Sequence, residues 1–277
     1  MKFVKPAALI ALLLIASVPS FAQKLKPEEI IAKHLDSIGT ADARAAAASR
    51  MVVGEVIITF VTKKNQLTQG RVVMASEGKK GLIGMTLNAH DYTNEKFVSD
   101  GNKASVGFAY MSRRSPLGDF VAANDMMLSH GLLGGTLSTA WPLLNAAGAK
   151  GKFSGGSIKK IDGKEVYTLS YSAKGGGADV TLYFDKETFR HVRTEYKTVQ
   201  SAGIGRTPEQ SSGYDETRVK LVEDFSDFRD EKGLMMPHSY KISYSNSGQG
   251  GTSELEWAII LSAFTPNPKL EANTFDQ

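Results

Sequence analysis

The sequence predicts a mainly β protein of the α+β class. We expect a strongly curved antiparallel sheet or incomplete β-barrel of about 10–11 strands, with an N-terminal helix and a helical lid insertion. Three observations carry this. From Met51 onward apolar residues recur mostly at every second position, turn-type residues separate the runs, and the alternation is interrupted once, over about residues 116–148. A flat open sheet of that many strands would expose long unpaired edges, so it must curl or close.

The chain begins MKFVKPAALIALLLIASVPSFAQ: Lys2 and Lys5 precede an apolar core from Ala7 to about Val18, followed by the small-residue site Ser20-Phe21-Ala22. That order reads as a secretory signal peptide over 1–22, and the apolar core is too short for a mature membrane helix. Losing Lys2 and Lys5 lowers the net charge of +4 to +2. The remainder, 23–277, is expected to be a single domain that is soluble and periplasmic. With no cysteine, it has no disulfide framework, thiolate ligand, cysteine nucleophile or lipid-anchoring thiol. No basic block marks a nucleic-acid surface.

Next comes KPEEIIAKHLDSIG. Pro27 suits a first helical turn, Glu28 and Glu29 suit its positive end, and Ile30, Ile31, His34, Leu35 and Ile38 share one face. Gly39 can end this helix and Thr40 can cap an alanine-rich second one. In VVGEVIITF, Val52, Gly54, Val56, Ile58 and Phe60 then share one strand face. Further strand runs are Gln69 to Ser76, Gly81 to Leu87, Glu95 to Asp100 and Ala104 to Met111. After the interruption, hairpins turn at Asp162-Gly163, at Asp185 to Thr188 and near Gly233. In the last strand, ELEWAIILSAF, Leu255, Trp257, Ile259 and Leu261 alternate. Gln200 to Thr217 reads as a long polar loop.

The interruption contains Met126 to Ala149, a run without Asp, Glu, Lys or Arg in a chain that is 22% charged. Gly134, Gly135 and Pro142 break it, and Ser129, His130, Thr136 and Asn145 make it too polar for a membrane span. We read it as a two-part lid: a helix from about Leu117 to His130, a glycine break, and a short helix with Leu137, Trp141 and Leu144 on one stripe. Leu133, Leu137 and Trp141 are expected to face the sheet.

Catalytic motifs are absent. His34, His90, His130, His191 and His238 have no second ligand at metal-motif spacing, and neither HEXXH nor a GXSXG elbow occurs. His34 reads as a packed or cavity-lining residue, and His191 as part of a solvated face with Arg193, Glu195 and Lys197. Asp224, Asp227 and Asp230 recur every three residues, which in a strand sends them to alternate faces. The glycine clusters fit no nucleotide fingerprint. No cofactor, metal or catalytic residue is assigned. A complete outer-membrane barrel is disfavoured by the charged strand face and the helical insert.

The order of features resembles the LolA/LolB-like lipoprotein carrier superfamily. The matching parts are EEIIAKHLDSIG, MVVGEVIITF, the helical interruption, KIDGKEVYTLSY, VTLYFDKETFRHVRTEY, FSDFRDEKGLMMPHSYKI and the closing AFTPNPKLEANTFD with Phe275. The resemblance implies an unclosed antiparallel barrel whose helices cover a hydrophobic cavity for acyl chains, and no covalent chemistry. The chain is longer than a typical carrier of that kind and its middle insertion is large.

These readings give a soluble periplasmic lipid- or lipoprotein-binding carrier, not an enzyme. Its cavity or lid candidates are Ile31, Leu35, Leu133, Leu137, Trp141, Leu144 and Trp257. Its partners would be a lipid or lipoprotein acyl chain and envelope membrane proteins that load or accept cargo, with no nucleic acid. Two alternatives stay open. One is a cell-envelope structural or protein-interaction module with a filled core. The other is an exported hydrolase in which His130 or His238 meets a serine or carboxylate.

Overall fold

A computed structural model of the chain describes residues 24–61, 66–174, 176–200, 216–248 and 251–276. The signal-peptide expectation over 1–22 and most of the long polar loop lie outside these residues. Helix α1 (Pro27–Ile38) starts where Pro27 and the acidic first turn place it, and Glu29 reaches back to accept from the Lys26 N–H at 2.7 Å. Its buried face is Ile30, Ile31, His34 and Ile38. Helix α2 (Ala41–Ala46) is capped by Thr40, whose hydroxyl accepts from Ala43 N–H at 3.2 Å.

Strands β1 (Ser49–Phe60), β2 (Gln66–Glu77), β3 (Lys80–Leu87), β4 (Asn94–Ser99) and β5 (Ala104–Val106) follow as one meander. A second meander comprises β6 (Gly151–Ile161), β7 (Lys164–Ala173), β8 (Asp179–Asp185), β9 (His191–Gln200), β10 (Thr217–Glu231), β11 (Leu234–Gly248) and β12 (Gly251–Pro266). Pairing of β1 with β12 joins the two into one twelve-stranded antiparallel sheet, ordered β5-β4-β3-β2-β1-β12-β11-β10-β9-β8-β7-β6. The sheet is not closed, as expected for an incomplete barrel, and β5 and β6 are its edges. The twelve strands among the described residues exceed the expected count by one or two, and the run expected from Ala104 to Met111 forms only the short β5, which still pairs with β4. The Asp162-Gly163 and Lys232-Gly233 turns have positive φ at both central residues, the geometry of a tight primed turn.

Alternation sorts side chains between the two faces. In β1, Val52, Val56 and Ile58 are fully buried while Glu55 and Ile57 face outward. Gly54 sits at a bulge against β12, where a Cβ would lie 2.2 Å from the Ile260 carbonyl oxygen. One contiguous core links the inner sheet face with α1 and the segment between β5 and β6. On the outer face the C-terminal segment returns to the sheet: Phe275 packs on Ala75 and Val98, and Lys96 Nζ donates to the Asp276 carbonyl at 2.7 Å.

One strand departs from the expected facing. His191, read as solvated, is fully buried. The register between β8 and β9 shifts, pairing Tyr183 with Arg193 but Phe184 with His191, so Val192 is an extra residue and His191 turns inward beside Phe184. Arg193 remains on the outside, bonded to Asp224 at 2.6 Å and Asp162 at 3.0 Å. Asp227 pairs with Arg229 and Asp230 accepts from Gly233 N–H, so the three aspartates do not converge.

Candidate functional site

The uncharged segment forms a cover over the concave face. Helix α3 (Pro116–Ala123) is capped by Ser115, whose hydroxyl accepts from Gly118 N–H at 2.9 Å. The chain breaks at Asn124, makes the single turn α4 (Met126–Ser129), and continues as two 3-10 stretches, Gly135–Leu137 and Pro142–Gly148. The expected long helix to His130 is therefore split, and the second piece is not an α-helix. Gly131, Gly134 and Gly135 all take positive φ and Pro142 restarts the chain, which prevents a continuous helix. At Gly135 an added Cβ would lie 2.9 Å from His191 Nδ1 and 3.1 Å from the Phe225 ring, so both the backbone and the space require glycine.

Leu133, Leu137 and Trp141 are buried against the sheet, at 5%, 1% and 1% exposure. Trp257 is fully buried on β12 and Ile31 is buried on α1, within the same core. Leu35 and Leu144 are only partly buried. Because the second piece is 3-10 and kinked, Leu144 leaves the stripe shared by Leu137 and Trp141 and packs toward Ile38 and Leu234.

Polar pins hold this apolar cover. Trp141 Nε1 donates to His34 Nε2 at 3.1 Å, which leaves the His34 proton on Nδ1, facing the Phe189 carbonyl at 3.0 Å. The His191 ring lies tilted against Trp141 with centroids 4.7 Å apart, and 6.3 Å from the His34 ring. Arg50 donates to the Thr136 carbonyl at 2.7 Å. Glu223 accepts from the Gly134 N–H at 2.7 Å, Tyr240 at 2.6 Å and Tyr196 at 2.7 Å. Glu95 accepts from Tyr92 at 2.5 Å and from Ser115, while Trp257 Nε1 donates to the Tyr92 hydroxyl at 3.1 Å.

Among the described residues four charged side chains other than histidine are buried: Arg50, Glu95, Glu195 and Glu223. Glu195 pairs outward with Lys197 and Lys220, whereas the other three bond to the cover or its cap. Burial pushes Glu95 and Glu223 up to about 7 despite their hydrogen-bond donors, and lowers Arg50 to about 10. Burial also depresses His34 to about 4 and holds His191 well below its ordinary value, so both rings are neutral. Sequence reasoning missed these pins although the signal was present. Leu221, Glu223 and Phe225 share one face of β10, where a carboxylate interrupts an apolar row.

Three spaces beside the cover are small. One of about 20 Å³ lies among Met74, Ile83, Leu128, Leu133 and Leu137, and one of about 70 Å³ lies beside His130, Trp141 and Lys150. A third, about 170 Å³, lies between Ile38, Arg50, Thr136 and Leu144. Roughly 300 Å³ or more is usual for a small-molecule pocket. Larger clefts, about 730 and 470 Å³, lie along Glu55, Arg71 and Lys96 and along Arg190, Arg193 and Asp227. Both are on the solvated side of the sheet, away from the cover.

The hydrolase expectation meets a partial match. His238 Nδ1 faces the Leu261 carbonyl at 3.1 Å and its buried Nε2 lies 3.0 Å from Glu231 Oε1 without a hydrogen-bond partner, and among the described residues no serine hydroxyl bonds to either nitrogen. His130 Nδ1 meets the Tyr171 hydroxyl at 2.8 Å. Among the described residues no three His, Asp or Glu side chains group as metal ligands, and no helix is long and apolar enough to cross a membrane.

No protein-family model matches the chain, and no curated protein matches it. Solved structures do. A LolA superfamily protein from Nitrosomonas europaea aligns at 15% identity over 91% of this chain and 98% of its own, with a TM-score of 0.48. A DUF1329 family protein from Desulfovibrio piger aligns at 11% identity over 90% of this chain and 96% of its own, with a TM-score of 0.50. The second likeness is one of fold: the two chains share an open antiparallel sheet with a few helices.

Proposed function

We propose that the chain is a carrier that shelters the acyl chain of a lipid or lipoprotein between the helical cover and the concave sheet. It works in the periplasm as one domain over residues 23–277, after removal of 1–22, and performs no covalent chemistry. One observation carries the reading: an apolar cover is held on an open sheet by Arg50, Glu95 and Glu223, charged residues at inward positions. A core meant to stay sealed is more cheaply closed by apolar packing, because each buried charge carries a desolvation cost. Polar pins instead fix one closed position and can be re-solvated when the cover lifts. Leu133, Leu137, Trp141, Trp257 and Ile31 would then line the opened space, with Leu35 and Leu144 at its margin.

The test uses the absence of native cysteine. A Cβ on Gly81 would lie 3.9 Å from Ser138 Oγ, so a Gly81→Cys/Ser138→Cys pair can join β3 to the cover. Uptake of a fluorescent acyl probe should occur in the reduced protein and stop on oxidation. Equal uptake in both states, or no uptake with no lipid extracted from the purified protein, would overturn the reading.

The small spaces beside the cover favour a second reading, an envelope interaction module with a permanently filled core. In that case the disulfide changes nothing and no lipid is recovered.

A further inference from the structure

The loop between β5 and α3 displays apolar side chains that folding does not require. Phe108 is 51% and Met111 76% exposed. The turn Tyr110 to Arg113 is closed by Arg113 N–H to the Tyr110 carbonyl at 2.8 Å and by Tyr110 N–H to the Arg113 carbonyl at 3.2 Å. Met111 and Ser112 occupy its two central positions with φ of 39° and 60°, a left-handed conformation that suits glycine or asparagine. A methionine held there is costly twice, once in backbone strain and once in exposed apolar surface. The base of the loop is firm: Ala109 is buried, its N–H donates to the Arg113 carbonyl at 2.8 Å, and its carbonyl accepts from Thr93 Oγ1 at 3.0 Å.

Charge and position define the surface further. Residues 101–118 contain Lys103, Arg113 and Arg114 and no acidic residue. The Arg114 guanidinium lies 5.1 Å from the Phe108 ring, and among the described residues neither Arg113 nor Arg114 forms an ion pair. Val61 and Leu67, exposed at 46% and 68%, lie at the same end of the strands. The rings of Phe60 and Tyr92, and of His90 and Tyr110, bridge from that hairpin to the loop.

We infer that this loop docks on an anionic lipid bilayer, with Met111 and Phe108 entering the acyl boundary and Arg113 and Arg114 at the level of the phosphates. An apolar apex flanked by guanidinium groups that form no ion pair, with Arg114 Nε donating to the Val106 carbonyl at 3.3 Å, complements that interface, and an exposed tip suits a surface that deforms around it. The surface goes beyond the carrier reading and does not depend on it. It adjoins Ser115, the first residue of the cover.

Co-sedimentation of the purified protein with vesicles tests the assignment. Vesicles containing about one-third phosphatidylglycerol should bind it, and pure phosphatidylcholine vesicles much less. Met111→Asp should weaken binding by about tenfold and Arg113→Ala by roughly fivefold, the latter effect shrinking at high salt. Both sites are exposed, so circular dichroism should match the parent. Absence of parent binding to anionic vesicles overturns the proposal in favour of a protein partner, and unchanged binding by both variants overturns the assignment to this loop. Acyl-probe uptake without vesicles should persist in Met111→Asp, whereas its loss in the parent protein with vesicle binding intact would strike the carrier reading alone.

Discussion

Two buried carboxylates hold the cover at two places and are bonded unequally. Glu223, at the glycine joint, receives three donors shared over both its oxygens. Glu95, at the leading end, receives Tyr92 and Ser115 on Oε1, while its buried Oε2 has no hydrogen-bond partner. Burial raises both to about 7, so the contrast is one of bonding and not of depth. An unmet buried acceptor costs about 1–3 kcal/mol, so the leading end is the weaker attachment. The joint is the more fully bonded of the two.

The largest test of that contrast removes each carboxylate. Glu223→Ala strands two tyrosine hydroxyls and a backbone N–H that can only donate, and should lower stability by about 3–5 kcal/mol in denaturant unfolding. Glu95→Ala strands two hydroxyls but also removes the unpartnered oxygen, and should lose about 1–3 kcal/mol. Equal losses would break the comparison.

Glycine substitutions sharpen it at a smaller scale. Gly135→Ala combines a φ of 51° with contacts near 3 Å to two aromatic rings, and should lose about 2–3 kcal/mol in the same measurement. Gly118→Ala at the leading end lies within helix α3, has no positive φ, and would place its Cβ 3.2 Å from Arg114 Cβ and 3.4 and 3.5 Å from Ser115 Oγ and Glu95 Oε2. There the helix-propensity gain of alanine offsets the crowding, and the change should stay within about 1 kcal/mol.

The smallest effect concerns pH. Glu95 and Glu223 bind protons more tightly folded, at about 7 against an ordinary 4.5, so their stabilising contribution is complete below pH 4.5 and is lost as pH rises to about 7. His34 is depressed from 6.5 to about 4, so its contribution is complete above pH 6.5 and is lost as pH falls. Between pH 4.5 and 6.5 the two kinds of group oppose each other, and above 6.5 the carboxylates act alone. Stability should therefore fall by on the order of 1 kcal/mol from about pH 6.5 to 7.5, and Glu223→Gln should roughly halve that slope. A variant with the full parental slope would remove Glu223 from the account.

Much of the fold could be read along the chain because its causes are local. Alternation in β1 and β12, the Asp162-Gly163 turn and the Pro27 helix start each depend on neighbours within a few residues. The burial of Leu133, Leu137 and Trp141 followed from a charge-free run needing a dry partner surface. The facing of His191 could not be read, because one bulged residue against β8 inverts the alternation. The pins were half visible: an inward glutamate in the row Leu221-Glu223-Phe225 announces a buried polar group, but not what it bonds.

The sequence by itself determined the class of fold, the strand periodicity, the capped N-terminal helix and the apolar character of the cover. Only the tertiary structure decided that β1 and β12 meet in the middle of the sheet, that the cover breaks into short turns, and that Arg50, Glu95 and Glu223 converge on it. Periodicity reports which way a side chain points relative to its own strand. Its partner can come from an element 89 residues away, as Gly134 does for Glu223, or 165 away, as Trp257 does for Tyr92, and that pairing is set by the path of the whole sheet.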